Sequence, residues 1–212
     1  MCGDRNFDVA LVNYDGHSED DGFINKFVYY DTYAIFKFPG IYDMFWDEPE
    51  LLKYDYFFMP DEDIDLSTED INTLFDKART LNLSLTQPSI EDSESSYPSW
   101  KIFVHRDTMD FVATNFVEVQ CPLFSRDALL KCYKTFNKSQ SGYGLDLAWA
   151  KLVVPNGNNV GFINSVVAKH TRKIGVGELY RKLKNVGISP SRERKKLMFD
   201  YGIQFVDVRE WK

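Results

Sequence analysis

Short apolar runs separated by polar punctuation organise this chain. Residues 7–14 (FDVALVNY) read as a buried strand, and the DGHSEDDG that follows is a turn-rich loop at its C-terminal end. The aromatic segment 26–37 fits one or two strands. After Pro39-Gly40, IYDMFWDEPELLKYD has helical apolar spacing, with Pro49 predicting a break or a fresh helix start. Residues 56–59 form the next strand. Ser67-Thr68-Glu69-Asp70 then has the form of a capping box with Ser67 as N-cap, and Ile71, Leu74, Phe75, Ala78 and Leu81 follow along one helix face.

Further on, residues 83–87 predict a short strand and IEDSESSYPSW a polar loop. FVEVQCPLF (116–124) predicts a strand, leading into a helix over 125–136 with Ala128, Leu129, Cys132, Tyr133 and Phe136 inward. SQSGYGLDLAWAKLV is a glycine-hinged loop entering a helix, and VGFINSVVAKH, after the PNGNN turn, is another strand. Strands alternating with helices predict an α/β fold with a mixed, mostly parallel central sheet flanked by helices. In such sheets ligands bind beyond the carboxyl ends of the strands.

Composition narrows the function classes. A chain of 212 residues can bury a core without disulfides, and its three cysteines are irregularly spaced, which fits free thiols in a reducing compartment. No apolar run approaches the roughly 20 residues of a membrane span, and the N-terminus lacks a signal-peptide design. The expected location is cytoplasmic. A net charge of −7 argues against nucleic-acid binding. Charge is unevenly spread, however: acids crowd the first hundred residues, and a basic excess runs from Lys169 to Lys196. That asymmetry suggests a metal site and an anion site working together.

The densest charge lies in YDYFFMPDEDIDL, where Asp61, Glu62, Asp63 and Asp65 follow an apolar strand directly. A solvated turn that caps the next helix accounts for Asp65, Glu69 and Asp70. It leaves unexplained why neighbouring carboxylates are packed at a strand end, where their repulsion needs a cation or a basic partner. An EF-hand fails on Leu66 at the position that requires glycine and Asn72 at the position that requires glutamate. A divalent-metal site for a diphosphate substrate fits the placement.

YDYFFMPDEDIDL resembles the strand-plus-DxD element of GT-A glycosyltransferases, which use Mn²⁺ or Mg²⁺ with a nucleotide-sugar donor. The later blocks FVEVQCPLFSRDAL, YGLD and VVAKHTRKIG keep the order of the GT-A-like DUF707 group. The chain is also similar to the glycosyltransferase domains that begin multidomain chlorella-virus proteins of capsid glycan synthesis. The resemblance covers most of residues 7–175. It implies a glycosyltransferase domain over residues 1–175, a basic helical extension over 176–212 and further domains of a longer chain. It also implies a host-cell location if the protein is viral.

Residue by residue, the resemblance makes Asp61 a ribose or metal contact, Asp63 the direct metal ligand and His170 the late histidine that completes the site. Nitrogen ligation would favour Mn²⁺ over Mg²⁺. Arg172 and Lys173, beside His170, would hold the diphosphate. Asn13, Tyr14 and Asp15 end the first strand where such enzymes bind the base, and Lys37 lies where the group supplies a basic nucleotide contact. Asp146 falls where an acceptor-side carboxylate is expected. Leu145 stands before it instead of the glutamate usual in inverting enzymes, and likeness to the viral enzymes favours retention. Trp100 is a candidate sugar platform. Glu118 and Gln120, alternating with Val117 and Val119, would share a strand face lining the sugar pocket, with Glu118 a second candidate catalytic carboxylate. The expected partners are a UDP-sugar, by default UDP-glucose, and a glycan or sugar acceptor. A sugar-nucleotide nucleotidyltransferase would need a basic glycine-rich first loop, whereas DGHSEDDG is acidic. A non-catalytic carbohydrate-binding domain is the other alternative.

Overall fold

A computed structural model describes residues 4–14, 24, 26–32, 34–107, 109–154, 159–204, 206 and 208–210. In chain order these residues form β1 (Ala10–Val12), β2 (Tyr29–Asp31), α1 (Lys37–Asp47), β3 (Tyr56–Phe58), β4 (Ile64–Asp65), α2 (Thr68–Thr80), β5 (Leu83–Ile90), β6 (Phe111–Ala113) and β7 (Leu123–Ser125). They continue with α3 (Arg126–Cys132), α4 (Leu145–Val153), β8 (Asn159–His170), α5 (Glu178–Asn185) and α6 (Pro190–Asp200).

The main sheet runs β3-β7-β5-β8-β4, with β6 also on β8, while β1 and β2 form a separate parallel pair. Within the main sheet β5 and β8 are parallel, and β3/β7, β5/β7, β6/β8 and β4/β8 are antiparallel. The sheet is therefore mixed, and the expectation of a mostly parallel one is corrected. A helix between two strands makes them parallel neighbours only when it serves as a crossover between paired strands. Here α2 links β4 to β5, which lie on opposite sides of β8. The alternation legible in the sequence is real, but its connections skip strands.

Helices cover both faces. On one, α1, α3, α4 and Leu197 of α6 pack against Leu85, Phe124 and Val160. Trp149 is fully buried there, with ring centroids of Phe124, Phe38 and Phe136 at 4.9, 5.3 and 5.7 Å. Its indole N–H donates to Thr135 Oγ1 at 2.9 Å, which satisfies the polar atom that burial would otherwise strand. On the other face α2 inserts Leu74 and Ala78 against Leu83, Leu123, Ile163 and Val166. The capping box forms as read: Asp70 N–H donates to Ser67 Oγ at 3.1 Å and Ser67 N–H to Asp70 Oδ2 at 3.2 Å.

Several boundaries differ from the sequence reading. The first strand, expected to be buried over 7–14, is Ala10–Val12 and only partly buried, and the helix expected over 125–136 is α-helical only to Cys132. α1 begins at Lys37, inside the aromatic segment expected to be extended, because Pro39 falls in its first turn where no intrahelical donor is needed. β5 runs on to Ile90 through Pro88, and β8 absorbs the proline with a register shift from Pro88↔Ile163 to Ser89↔Val167. Ser89 Oγ lies 3.0 and 3.1 Å from the freed carbonyls of Asn164 and Val166. Of the expected strand 116–124 only residues 123 and 124 are extended in the sheet, at the start of β7. Upstream, Glu118 N–H is taken by Gln87 Oε1 at 2.6 Å and the Gln120 carbonyl by Asp61 N–H at 2.7 Å. Backbone groups satisfied in this way have no strand partner.

Gly161, in β8, has no room for a side chain: a Cβ there would lie 2.1 Å from the Val112 carbonyl oxygen and 2.9 Å from Ala113 Cα, both backbone atoms of β6. Gly161→Ala must force the two strands apart, and a loss of about 1–3 kcal/mol is expected from chemical denaturation midpoints.

Candidate functional site

The site is assembled by pinning the acidic loop at both ends. After β3, Met59 N–H donates to the Pro122 carbonyl at 2.9 Å and Asp61 N–H to that of Gln120. After the loop, β4 pairs with the end of β8 in the register Ile64↔His170 and Asp65↔Lys169. Thr171 then clasps the Asp63 carbonyl through its N–H at 2.9 Å and its hydroxyl at 3.0 Å. Asp63 and His170 are thus placed together by sheet register, although they lie far apart in the chain.

Each carboxylate of Asp61-Glu62-Asp63 has a partner. Lys37 Nζ sits 2.6 Å from Asp61 Oδ1 and also reaches the carbonyls of Val119 and Gln120. Arg172 binds Glu62 Oε1 at 2.8 Å and lies 3.8 Å from Asp63 Oδ2. The Tyr14 hydroxyl donates to Glu62 Oε2, and Lys182 donates to the Tyr14 carbonyl with its ammonium 5.3 Å from the ring centroid. Burial and Glu62 raise the Tyr14 pKa, so the phenol keeps its proton.

His170 Nε2 faces Asp63 Oδ2 at 3.5 Å, with the two side chains only 5% and 13% exposed. Nδ1 is 2.6 Å from the Tyr97 carbonyl, an acceptor, so Nδ1 carries a proton; Nε2 donates to the carboxylate when the ring is protonated and turns a lone pair to it when the ring is neutral. Two acceptors facing each other require a proton or a cation between them. Burial pulls the His170 pKa down, but Asp63 and the Tyr97 carbonyl outweigh it and the net shift is upward. Burial likewise works to raise the Asp63 pKa, and His170 with Arg172 brings it below the ordinary carboxylate value. A divalent ion, as the DxD resemblance implies, fits these two donors, the imidazole being oriented by its carbonyl as in known metal sites. Among the described residues no group of three or more His, Cys, Asp and Glu converges on one point. Water and substrate oxygens would have to supply the remaining ligands.

A small cavity of about 110 Å³ opens beside this pair, lined by Lys37, Asp61, Asp63, Gln120, His170 and Arg172 among others. A cleft of about 1030 Å³ between the β1 segment and β3 shares Tyr14, Lys37, Asp61 and Glu62 with it. The rim of the small cavity is apolar at Ile35, Ile174, Val176 and Leu179, all exposed.

Behind the pair lie two buried acids. Burial pushes the Glu118 carboxyl up to about 8, with Ser99 opposing and Asp146 adding to the rise; burial pushes Asp146 up to about 7, with the Leu147 N–H and Arg194 opposing. Four buried side-chain oxygens of the described residues lack a partner, and two of them, Glu118 Oε2 and Gln120 Oε1, belong to this region.

Of the residues singled out from sequence, Tyr14, Lys37, Asp61, Asp63, Gln120, His170, Arg172 and Lys173 line the small cavity. Lys173 also lies over the Tyr97 ring at 5.8 Å. Asn13 follows β1, its N–H on the Asp31 carbonyl, and Asp15 lies outside the described residues. Trp100 is half-buried and packs at 61° to the Phe116 ring, with centroids 5.3 Å apart. Glu118 and Gln120 do not share a strand face, since their segment is irregular and turns at Val119-Gln120. Sequence reasoning missed Lys182, whose only signal was its place in a basic run.

Glu118→Gln removes the buried ionisable group and keeps its shape. The folded carboxyl holds its proton more tightly than the unfolded one, so the stability it lends is complete below 4.5 and is lost as pH rises through about 8. The variant is expected to gain on the parent between those limits, at up to about 1.4 kcal/mol per pH unit, and to run parallel to it above them. Urea denaturation across pH 5 to 9 reads this directly.

No curated protein matches the chain. The family model described as "Protein of unknown function (DUF707)" matches residues 3–202. That span takes in the acidic loop, the buried acids, His170 and the two C-terminal helices, and the chain belongs to the DUF707 family.

Proposed function

We propose that the chain is a metal-dependent glycosyltransferase of GT-A architecture that moves a hexosyl or deoxyhexosyl group from a UDP-sugar, by default UDP-glucose, to an acceptor hydroxyl. The observation that carries this reading is the Asp63–His170 pair, a carboxylate and an imidazole nitrogen held 3.5 Å apart beside a cavity lined by Lys37, Arg172 and Lys173. Imidazole ligation favours Mn²⁺, with Mg²⁺ as the substitute. When bound, the ion supplies charge neutralisation to the diphosphate leaving group.

The chain's own residues do the rest. Arg172 and Lys173 meet the diphosphate in the small cavity, and Arg172 exchanges its contact with Glu62 for a phosphate oxygen. The nucleoside extends past Tyr14 into the larger cleft, whose shared wall at Lys37 and Asp61 meets the ribose. Asp146, poised at about 7, exchanges a proton on the acceptor side near neutral pH. Glu118 at about 8 stays mostly protonated there and serves as a hydrogen-bond donor. On the same reading the chain is kin to the glycosyltransferase domains that begin multidomain chlorella-virus proteins, it retains anomeric configuration, and its product is part of a glycoprotein glycan.

A non-catalytic carbohydrate-binding domain is the second reading. It is favoured by one observation: protein cations already balance the acidic loop without any ligand.

Calorimetry with UDP separates these. The parent is expected to bind UDP with Mn²⁺ and to lose binding in EDTA, with GDP and CMP inert. Asp63→Ala is expected to weaken metal-dependent UDP binding at least about a hundredfold while circular dichroism stays unchanged. Undiminished affinity in that variant removes the metal assignment, and UDP binding without turnover of any UDP-sugar favours the second reading.

Proton and metal compete for His170 Nε2. Because the His170 pKa is raised above 6.5, the imidazole is protonated at and below that pH and must lose its proton to ligate. Apparent Mn²⁺ affinity is therefore expected to fall about tenfold per pH unit on the acid side, and His170→Gln to flatten the profile. Titrations between pH 5.5 and 8.5 read the slope.

A further inference from the structure

The C-terminal helix α6 reads in sequence as a solvated basic face, RERKK, with one acid in its midst. In the fold that acid, Glu193, turns inward. Its carboxylate accepts the Gln140 N–H at 2.8 Å, the Ser141 N–H at 2.9 Å, the Ser141 hydroxyl at 2.5 Å and the Ser139 hydroxyl at 3.2 Å. Two backbone donors and two hydroxyls from three consecutive residues thus converge on one side chain from a distant helix. Charge-assisted bonds of this kind are about twice as strong as neutral ones.

The residues so gathered start the loop that delivers Asp146. Ser141 Oγ also accepts the Tyr143 N–H at 3.3 Å, and Gly142 and Gly144 take φ of +78° and +88°, a conformation that side chains resist. A Cβ on Gly144 would lie 2.9 Å from Arg194 Cα, so the loop passes directly beneath α6 at the residue after Glu193. The Tyr143 hydroxyl lies 2.7 Å from that of Tyr180 in α5. Two residues past Gly144, Asp146 sits in the first turn of α4, buried, close enough to Glu118 and Arg194 for each charge to be felt.

We infer that Glu193 is a positioning residue: it fixes the 139–141 stem and with it the turn that delivers Asp146 to the start of α4, which makes α6 part of the site. The inference rests on the acceptor-side role given to Asp146 above. Glu193 touches neither the metal pair nor the cavity beside it, so its loss acts on Asp146 and spares donor binding.

The test compares Glu193→Ala and Glu193→Gln with Lys195→Gln, an exposed control on the same helix. Metal-dependent UDP binding is expected to stay within about twofold in all three, whereas kcat for UDP-sugar turnover falls about tenfold to a hundredfold in Glu193→Ala with the donor KM unchanged. Glu193→Gln, which keeps acceptor oxygen but loses the charge, should fall between. The Asp146 carboxyl, followed by NMR, should titrate lower in Glu193→Ala as the loosened loop admits water.

A folded Glu193→Ala with unchanged kcat and an unchanged Asp146 titration overturns the proposal. So does a uniform loss of UDP affinity, turnover and melting temperature, which marks a purely structural role. If Glu193→Ala does not fold, Glu193→Gln decides by the same readouts. A parent without UDP binding or turnover sinks the glycosyltransferase reading instead, and the Asp146 titration still shows whether Glu193 holds it.

Discussion

Strand β8 is the constraint on which the rest of the molecule hangs. One edge of it pairs in parallel with β5 over most of the length of both strands, and the other edge is divided between β6 at residues 161–163 and β4 at residues 169–170. Everything that matters in the candidate site is a matter of register along this strand. A slip of one residue would turn the His170 side chain to the other face and remove it from Asp63. The twelve-residue strand resists such a slip through its buried apolar positions, the Pro88 bulge and the absence of space at Gly161.

Onto this frame the site is built as a set of opposed charges. The acidic loop is neutralised from three directions, by Lys37 on α1, by Arg172 after β8 and, through Tyr14, by Lys182 on α5. Behind it Glu118 and Asp146 are kept near neutrality by burial instead of by partners. Asp63, at the cavity, is held below the ordinary carboxylate range, while Glu118 and Asp146, in the interior, are held above it. Environments that drive like groups to different protonation states are what acid–base chemistry requires.

Local signals were legible and non-local ones were not. The Ser67 capping box, the helix that carries Leu74 and Ala78, the strand before the acidic loop and the strand ending at His170 all follow from period and punctuation. The nearness of the acidic loop to His170 is implied by the family resemblance, not by period or charge. The expectation of a mostly parallel sheet fails, since alternation in sequence does not say which strands pair. Residues 116–120 look like a strand by side-chain pattern, but their backbone is spent on Gln87 and on the acidic loop. Lys182 and Glu193 were invisible because a run of charges on a helix has the same composition whether it faces water or protein. Only tertiary contact distinguishes them.

The chain separation of the neutralising pairs bears on synthesis. Glu62 meets Arg172 across 110 residues, and the Asp63 carbonyl meets Thr171 across 108. A chain emerging from the ribosome N-terminus first exposes the acidic loop long before β8, Arg172 or Lys182 exists. The nascent loop is a patch of open negative charge, and Asp63 has neither His170 nor Arg172 to face until the last third of the chain is made. Completion of the site thus coincides with completion of the sheet, so an unfinished chain carries the charge without its partners.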